Sequence, residues 1–221
     1  SSAASDVYKR QQHNIVLFTS SEDEFEGIGP KWKNPHFTNQ TEGIHFVADT
    51  VAKLENTHLY IRVHPNSGRM PQDYLEKIDQ ANRQGKVTVI PHNSSISSYA
   101  LLYGCDKVLT FGSTMSFEAV HKKKPSILLG PSIYQHLKGL LIPKDKKEIV
   151  EMIQSFDIPL PAEEETLQLG FYLKTYGYNY EYYKADTYQT GSFKGVNLDD
   201  TDMLRKQEGG IFSKIRRLFP V

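Results

Sequence analysis

Three short polar motifs in the 221-residue chain carry the side chains best suited to chemistry. Gly112-Ser113-Thr114 follows an apolar run and opens an amphipathic segment that holds Glu118 one turn in. A glycine at a strand end lets another group approach the backbone closely. Hydroxyls and free N–H groups at a helix start suit an anion, most often a phosphate. The competing, structural use of Ser113 or Thr114 is to cap that helix. His64-Pro65-Asn66 ends a second apolar run. Proline cannot continue a strand's hydrogen bonding, so the strand stops and presents His64 at its edge. An imidazole there can hydrogen-bond a phosphate or protonate a leaving group. Pro91-His92-Asn93 repeats the pattern after a third run. A further stretch, Ser21 to Glu26, is acidic. Its carboxylates suit acid/base work or metal ligation, and equally a solvated helix start.

These motifs need a frame that brings them to one edge. The runs 14–20, 58–63, 87–90, 107–111 and 126–129 read as buried, parallel-type strands. Helical periodicity or capping signals fill the intervals at 40–54, 71–84, 94–103 and 115–124. Alternation of this kind predicts a doubly wound α/β domain with a mostly parallel sheet and right-handed crossovers. Ligands of such sheets bind outside the carboxyl ends of the strands. Arg62 is expected to face the side opposite His64. No lysine follows Gly112 as a P-loop requires, and there is no Gly-x-Gly-x-x-Gly, which argues against an ATPase or a dehydrogenase.

Composition adds bounds. Basic and acidic residues number 26 each, so no global charge draws the chain to nucleic acid or an anionic membrane. A single cysteine, Cys105, excludes an internal disulfide and fits a reducing compartment. No stretch approaches the ~20 apolar residues of a membrane span. Residues 1–13 read as a disordered leader, 14–156 as the doubly wound domain that carries the motifs, and 157–221 as a C-terminal extension. The chain lacks an initial methionine and is expected to be a piece of a longer protein. Residues 134–141 read as a loop or short helix, and 145–156 and 162–175 as helices. The tyrosines between Tyr176 and Tyr188 suggest a strand or extended arm packed on another domain or subunit. Residues 209–218 form a basic amphipathic pattern, suited to a membrane surface or to a docking partner.

The paired motifs, RVHPNS at 62–67 and YGCDKVLTFGSTMSFEAVHKKKPSILLGPSIY at 103–134, resemble the nucleotide-binding half of GT-B glycosyltransferases. More narrowly, they are similar to the bacterial capsule polysaccharide biosynthesis type that includes Kdo transferases, and to GT-B sialyltransferases. The resemblance implies a doubly wound Rossmann-like sheet forming one half of a GT-B fold, with a tyrosine-rich C-terminal extension. It implies a CMP-activated sugar as donor, with a UDP-sugar or CDP-polyol as variants, and no required cofactor or metal. By it, His64 is the catalytic candidate at the donor phosphate. Pro65, Asn66, Gly112, Ser113 and Thr114 surround that phosphate, Glu118 lies at the ribose, and Pro91, His92 and Asn93 lie near the base. The implied partners are a nucleotide sugar, a glycan or glycolipid acceptor, and an N-terminal GT-B half or second subunit. Membrane contact would run through residues 209–220, and no nucleic acid is involved. The implied location is the cytoplasm, at the inner face of a bacterial inner membrane. The acidic run at 22–24 opens the donor half, so the catalytic base of the other half is not transferred to it. The competing reading is a non-catalytic nucleotide-binding or assembly module.

Overall fold

The computed structural model describes residues 12–20, 29, 32–158, 164–177, 180–186 and 190–198. The acidic run at 21–26 and the basic segment at 209–220 lie outside the described residues. So do Tyr178 and Tyr188. The chain divides into one compact unit ending at Lys174 and a second beginning at Thr175.

Six parallel strands form the first unit's sheet. They are β1 (His13–Phe18), β2 (Thr57–Arg62), β3 (Val87–Ile90), β4 (Lys107–Thr110), β5 (Ser126–Leu128) and β6 (Leu140–Leu141). Their spatial order is β3-β2-β1-β4-β5-β6, all neighbours parallel. This is the doubly wound order, in which the chain reverses direction across the sheet between β1 and β4. Strand β1 is apolar on both sides over Ile15–Phe18, because helices cover both faces of the sheet. One face carries Ile15, Leu59, Ile61, Leu109 and Ile127. It packs on α1 (Gln40–Ala52), α2 (Gln72–Asp79) and α5 (Lys146–Gln154) through residues such as Ile44, Val47, Ile78 and Ile149. The other face carries Val16, Phe18 and Val108 against Leu102 of α3 (Ser98–Gly104) and Ala119 of α4 (Met115–His121).

The helices start where the sequence provides caps. Asn39 accepts the Glu42 N–H at the head of α1, and Asp145 accepts the Glu148 N–H at the head of α5. The five longer strands fall where apolar runs predict them. The loop expected over 134–141 is present as turns through Gly139, and only its last two residues form a strand, β6. It is two residues long, too short to show periodicity, and pairing with β5 defines it. Helix α6 (Glu164–Thr175) lies largely within the first unit, so that unit extends past the boundary read at 156. Its Thr166 is buried and meets the His121 ring at 3.3 Å.

The second unit holds a three-stranded antiparallel sheet. It comprises β7 (Tyr183–Ala185), β8 (Gly191–Phe193) and β9 (Val196–Asn197). Lys194 and Gly195 join the last two strands, both at positive φ (49° and 78°), as a tight two-residue hairpin requires. An added Cβ at Gly191 would lie 2.5 Å from the Tyr183 hydroxyl, so one tyrosine of the rich segment packs inside its own sheet.

Candidate functional site

The reversal between β1 and β4 opens a crevice at the carboxyl edge of the sheet, and the sequence motifs sit around it. β1 leads into Thr19 and Ser20, β2 into His64, β3 into Pro91–Asn93, and β4 into the Gly112 turn. β2 and β4 are both neighbours of β1, so His64 and Gly112-Ser113-Thr114 flank it, two strand spacings or about 10 Å apart. Pro91–Asn93 lies on the far side of β2, one strand further out.

His64 is held at two points, its backbone N–H and its ring. Its N–H donates to Thr19 Oγ1 at 2.9 Å, which ties the end of β2 to the end of β1. Pro65 then begins a 3-10 turn, Pro65–Arg69, and His64 Nδ1 accepts the Asn66 N–H at 3.2 Å. With Nδ1 used as an acceptor, the neutral ring carries its proton on Nε2. That N–H is the group left to donate to a ligand. The His92 ring lies over Gly68 of the same turn, 2.8 Å from where a Cβ would stand. His92 therefore backs the His64 turn. Pro65, Asn66 and Asn93 are exposed.

The second wall is the β4–α4 turn. Gly112 takes φ +134°, a conformation that favours glycine. Ser113 Oγ accepts the Met115 N–H at 3.4 Å, while Thr114 is exposed and makes no side-chain cap. Of the two hydroxyls, Ser113 is thus the helix cap and Thr114 is left to solvent or ligand. The turn is braced from behind by Tyr134, whose buried hydroxyl donates to Gly112 O at 2.7 Å and is shared with Ser113 O. Burial pushes the Tyr134 phenol up from its usual value, so it remains a donor at neutral and mildly alkaline pH. Gly130 lets β5 approach this brace, since a Cβ there would lie 2.5 Å from Phe111 O. Replacing Tyr134 with phenylalanine is expected to cost about 1–2 kcal/mol of stability, because two buried carbonyls lose their donor. It should also weaken ligand binding at the turn. Urea denaturation and calorimetric titration measure the two effects separately.

Glu118 has a partner away from the turn. It accepts a hydrogen bond from the Tyr99 hydroxyl of α3, and this raises the Tyr99 phenol pKa. Glu118 also lines an apolar groove of about 300 Å³ between α3, α4 and α6, beside Phe117, Leu167 and Phe171.

Several positioning residues carried no motif signal. Gln40 pairs both ways with the Ser20 backbone, accepting its N–H at 2.7 Å and donating to its carbonyl at 3.0 Å. Thr19 and Tyr134 act only through tertiary contacts. Arg62 did carry a signal, a charged residue inside an apolar strand, and it is buried. Its expected orientation needs correction. Arg62 and His64 are two residues apart on extended backbone, so strand alternation puts them on the same side. Among the described residues, four buried polar atoms have no hydrogen-bond partner: Ser20 Oγ, Arg62 Nε, Ser67 Oγ and Thr110 Oγ1. All four belong to the carboxyl ends of β1, β2 and β4 or the turns just beyond them. Among the described residues, no group of three or more His, Cys, Asp or Glu side chains is placed to hold a metal ion.

Sheet order and crevice define a doubly wound, Rossmann-like α/β domain with its polar loops at the switch point. The chain belongs to the capsule polysaccharide biosynthesis protein family, whose model matches residues 34–185. No curated protein matches it significantly in sequence. Among solved structures it is similar to the beta Kdo 2,7 transferase of Thermosulfurimonas dismutans KpsC, at 16% identity and TM-score 0.41, covering 79% of this chain and 61% of that one. The beta Kdo 2,4 transferase of the same KpsC gives 17% identity and TM-score 0.41 over 65% of this chain and 44% of that one. UDP-GlcNAc 2-epimerase of Methanocaldococcus jannaschii, in complex with UDP-GlcNAc and UDP, gives 10% identity and TM-score 0.46 over 79% and 49%. The chain thus spans 44–61% of the length of these proteins. Among the described residues, no helix is long and apolar enough to cross a membrane.

Proposed function

We propose that this chain is the donor-nucleotide-binding portion of a glycosyltransferase of bacterial capsule or lipopolysaccharide synthesis, and that its donor is a CMP-activated sugar. The observation that carries the reading is the pairing of His64 and the Gly112-Ser113-Thr114 turn on either side of β1, at the switch point. Membership of the capsule polysaccharide family supports it. In the reaction, an acceptor hydroxyl attacks the anomeric carbon as the bond from that carbon to the phosphate oxygen breaks. The electron pair leaves with CMP. His64 Nε2–H donates to the departing phosphate, and the amides and hydroxyls of the 112–114 turn stabilise its charge. This needs no metal. The acceptor's proton goes to a base in the remainder of the enzyme, which also binds the glycan or glycolipid acceptor.

The test is a thermal-shift screen with CMP, CDP, UDP, GDP and ADP, with and without magnesium. A selective, metal-independent rise with CMP is expected, worth about 2.7 kcal/mol at a hundredfold excess over Kd. A selective rise with UDP or CDP moves the assignment to a UDP-sugar or CDP-polyol donor. A flat response contradicts the reading.

One observation favours a second reading, an assembly module without chemistry. Helix α6 presents Leu167, Phe171 and Leu173 with about half or more of their surface exposed. Capture of a second polypeptide with no nucleotide response would select it.

A further inference from the structure

Among the described residues two cationic side chains are buried, Lys107 and Arg62. Lys107 stands at the amino end of β4, away from the crevice. Arg62 is the last residue of β2, one strand spacing from Phe18 at the end of β1 and directly below the His64 turn. Its residue surface is 6% exposed.

The Arg62 guanidinium is satisfied by carbonyls alone. Nη1 donates to Pro91 O at 2.5 Å and to Val63 O at 3.3 Å, and Nη2 donates to Ser94 O at 3.3 Å. Nε has no hydrogen-bond partner. Among the described residues no carboxylate pairs with Arg62, and burial disfavours its charged form. Carbonyl dipoles orient a guanidinium but do not neutralise it, and guanidinium does not deprotonate near neutral pH. A full positive charge therefore sits desolvated beneath the crevice, without a counter-ion among the described residues. A buried charge of this kind is costly unless something pairs with it. Strand geometry puts it two residues, about 7 Å, below His64 on the same side of the sheet. That is too far for contact with a phosphate held at His64, and close enough for its field to act through protein rather than water.

We infer that Arg62 is a positioning residue of the crevice whose charge selects phosphorylated over neutral nucleosides, with the ligand's phosphate serving as the counter-ion that the described residues do not supply. The inference rests on the donor-site reading above. It adds a selectivity device that neither the histidine nor the 112–114 turn provides. Its carbonyl bonds also hold the 91–94 loop against β2, so a purely structural role must be separated from the electrostatic one.

Two variants make the separation in the 221-residue chain. Arg62→Gln keeps amide donors for the Pro91 and Ser94 carbonyls and removes the charge. Arg62→Lys keeps the charge and removes the planar fork. At an effective dielectric of about 20 and a separation of roughly 8–10 Å, one unit charge changes affinity for a monoanion by about fifteen- to thirtyfold. Titration calorimetry with CMP, cytidine and inorganic pyrophosphate at low salt is the readout, with circular dichroism to show that each variant is folded. Arg62→Gln is expected to lose at least tenfold in affinity for CMP and pyrophosphate, with cytidine unchanged. Arg62→Lys should stay within threefold of wild type for all three. The salt dependence of CMP binding should be shallower in Arg62→Gln. Equal losses for CMP and cytidine, or equal losses in the Lys and Gln variants, would show a loop clamp and overturn the inference. CMP binding by Arg62→Gln at the wild-type level would overturn it while leaving the donor-site reading standing. A wild-type chain that binds neither CMP, UDP nor pyrophosphate would overturn both.

Discussion

On the proposed donor role, alanine at position 64 is expected to slow sugar transfer by the complete enzyme by about 10²–10³-fold, the usual worth of one preorganised hydrogen-bond donor to developing negative charge. The geometry gives the reason. The backbone of His64 is fixed by the Thr19 hydroxyl, and the ring is fixed by the Asn66 amide at Nδ1. Only Nε2–H remains to serve a ligand, so the ring acts as a single aimed donor. A glutamine variant tests that role, because its side-chain amide can also offer an N–H. His64→Gln should stay within about tenfold of wild type in both nucleotide affinity and rate, whereas His64→Ala loses both. The fold should survive either change. The ring's intramolecular bond is one exposed cap on a short turn, worth about 1 kcal/mol. Transfer by His64→Ala within threefold of wild type would remove His64 from the chemistry.

The second large effect lies at the opposite edge of the sheet. Lys107→Met is expected to destabilise the first unit by about 2–4 kcal/mol, or roughly 10 °C in melting temperature. Lys107 is 1% exposed. Its ammonium donates to three carbonyls at the end of α5: Met152 O at 2.6 Å, Ile153 O at 2.9 Å and Ser155 O at 2.6 Å. The Phe156 ring closes over it at 4.3 Å and itself stacks on His13 at 3.9 Å. The last carbonyls of a helix have no partner within it, and here a buried lysine supplies one. Methionine fills the volume but leaves those carbonyls unmet.

The pH dependence of that effect has a definite sign. Burial pushes the Lys107 ammonium down from 10.5 to about 8. Between those values the folded chain has released a proton that the unfolded chain still binds. The contribution of this group to stability therefore rises with pH from about 8 to 10.5, by about 3 kcal/mol in all. The gap in unfolding free energy between wild type and Lys107→Met should widen across this window and stay flat below it. Comparing the two proteins cancels the other lysines and the tyrosines. A constant gap up to pH 10.5 would show that the buried ammonium keeps an ordinary pKa.

Strands β1 to β5 were legible because each is a short apolar run bounded by Gly, Pro or polar residues. The carboxyl-edge motifs follow directly from those stops: Pro65 ends one strand and Gly112 another. What the sequence hid is the material between motifs. Tyr134 braces Gly112 from more than twenty positions away, and no local pattern marks such a contact. Gln40 reads as an ordinary polar residue at a helix start, yet it is buried and closes both backbone bonds of Ser20. The reading of Glu118 rested on its place one turn into α4, while its Tyr99 partner comes from a different helix. For Arg62 the signal was present. The spacing of two between Arg62 and His64 already sets them on one side, as the buried charge then emphasises.

The central claim is that a nucleotide phosphate is held between His64 and the 112–114 turn. Titration of the isotopically labelled chain with CMP, followed by amide nitrogen–proton NMR, tests it most directly. The account predicts saturable shifts centred on Thr19, His64, Asn66 and residues 112–115. It predicts little change along the α3–α4–α6 groove. Shifts confined to that groove, or none at CMP concentrations well above those in a cell, would contradict it.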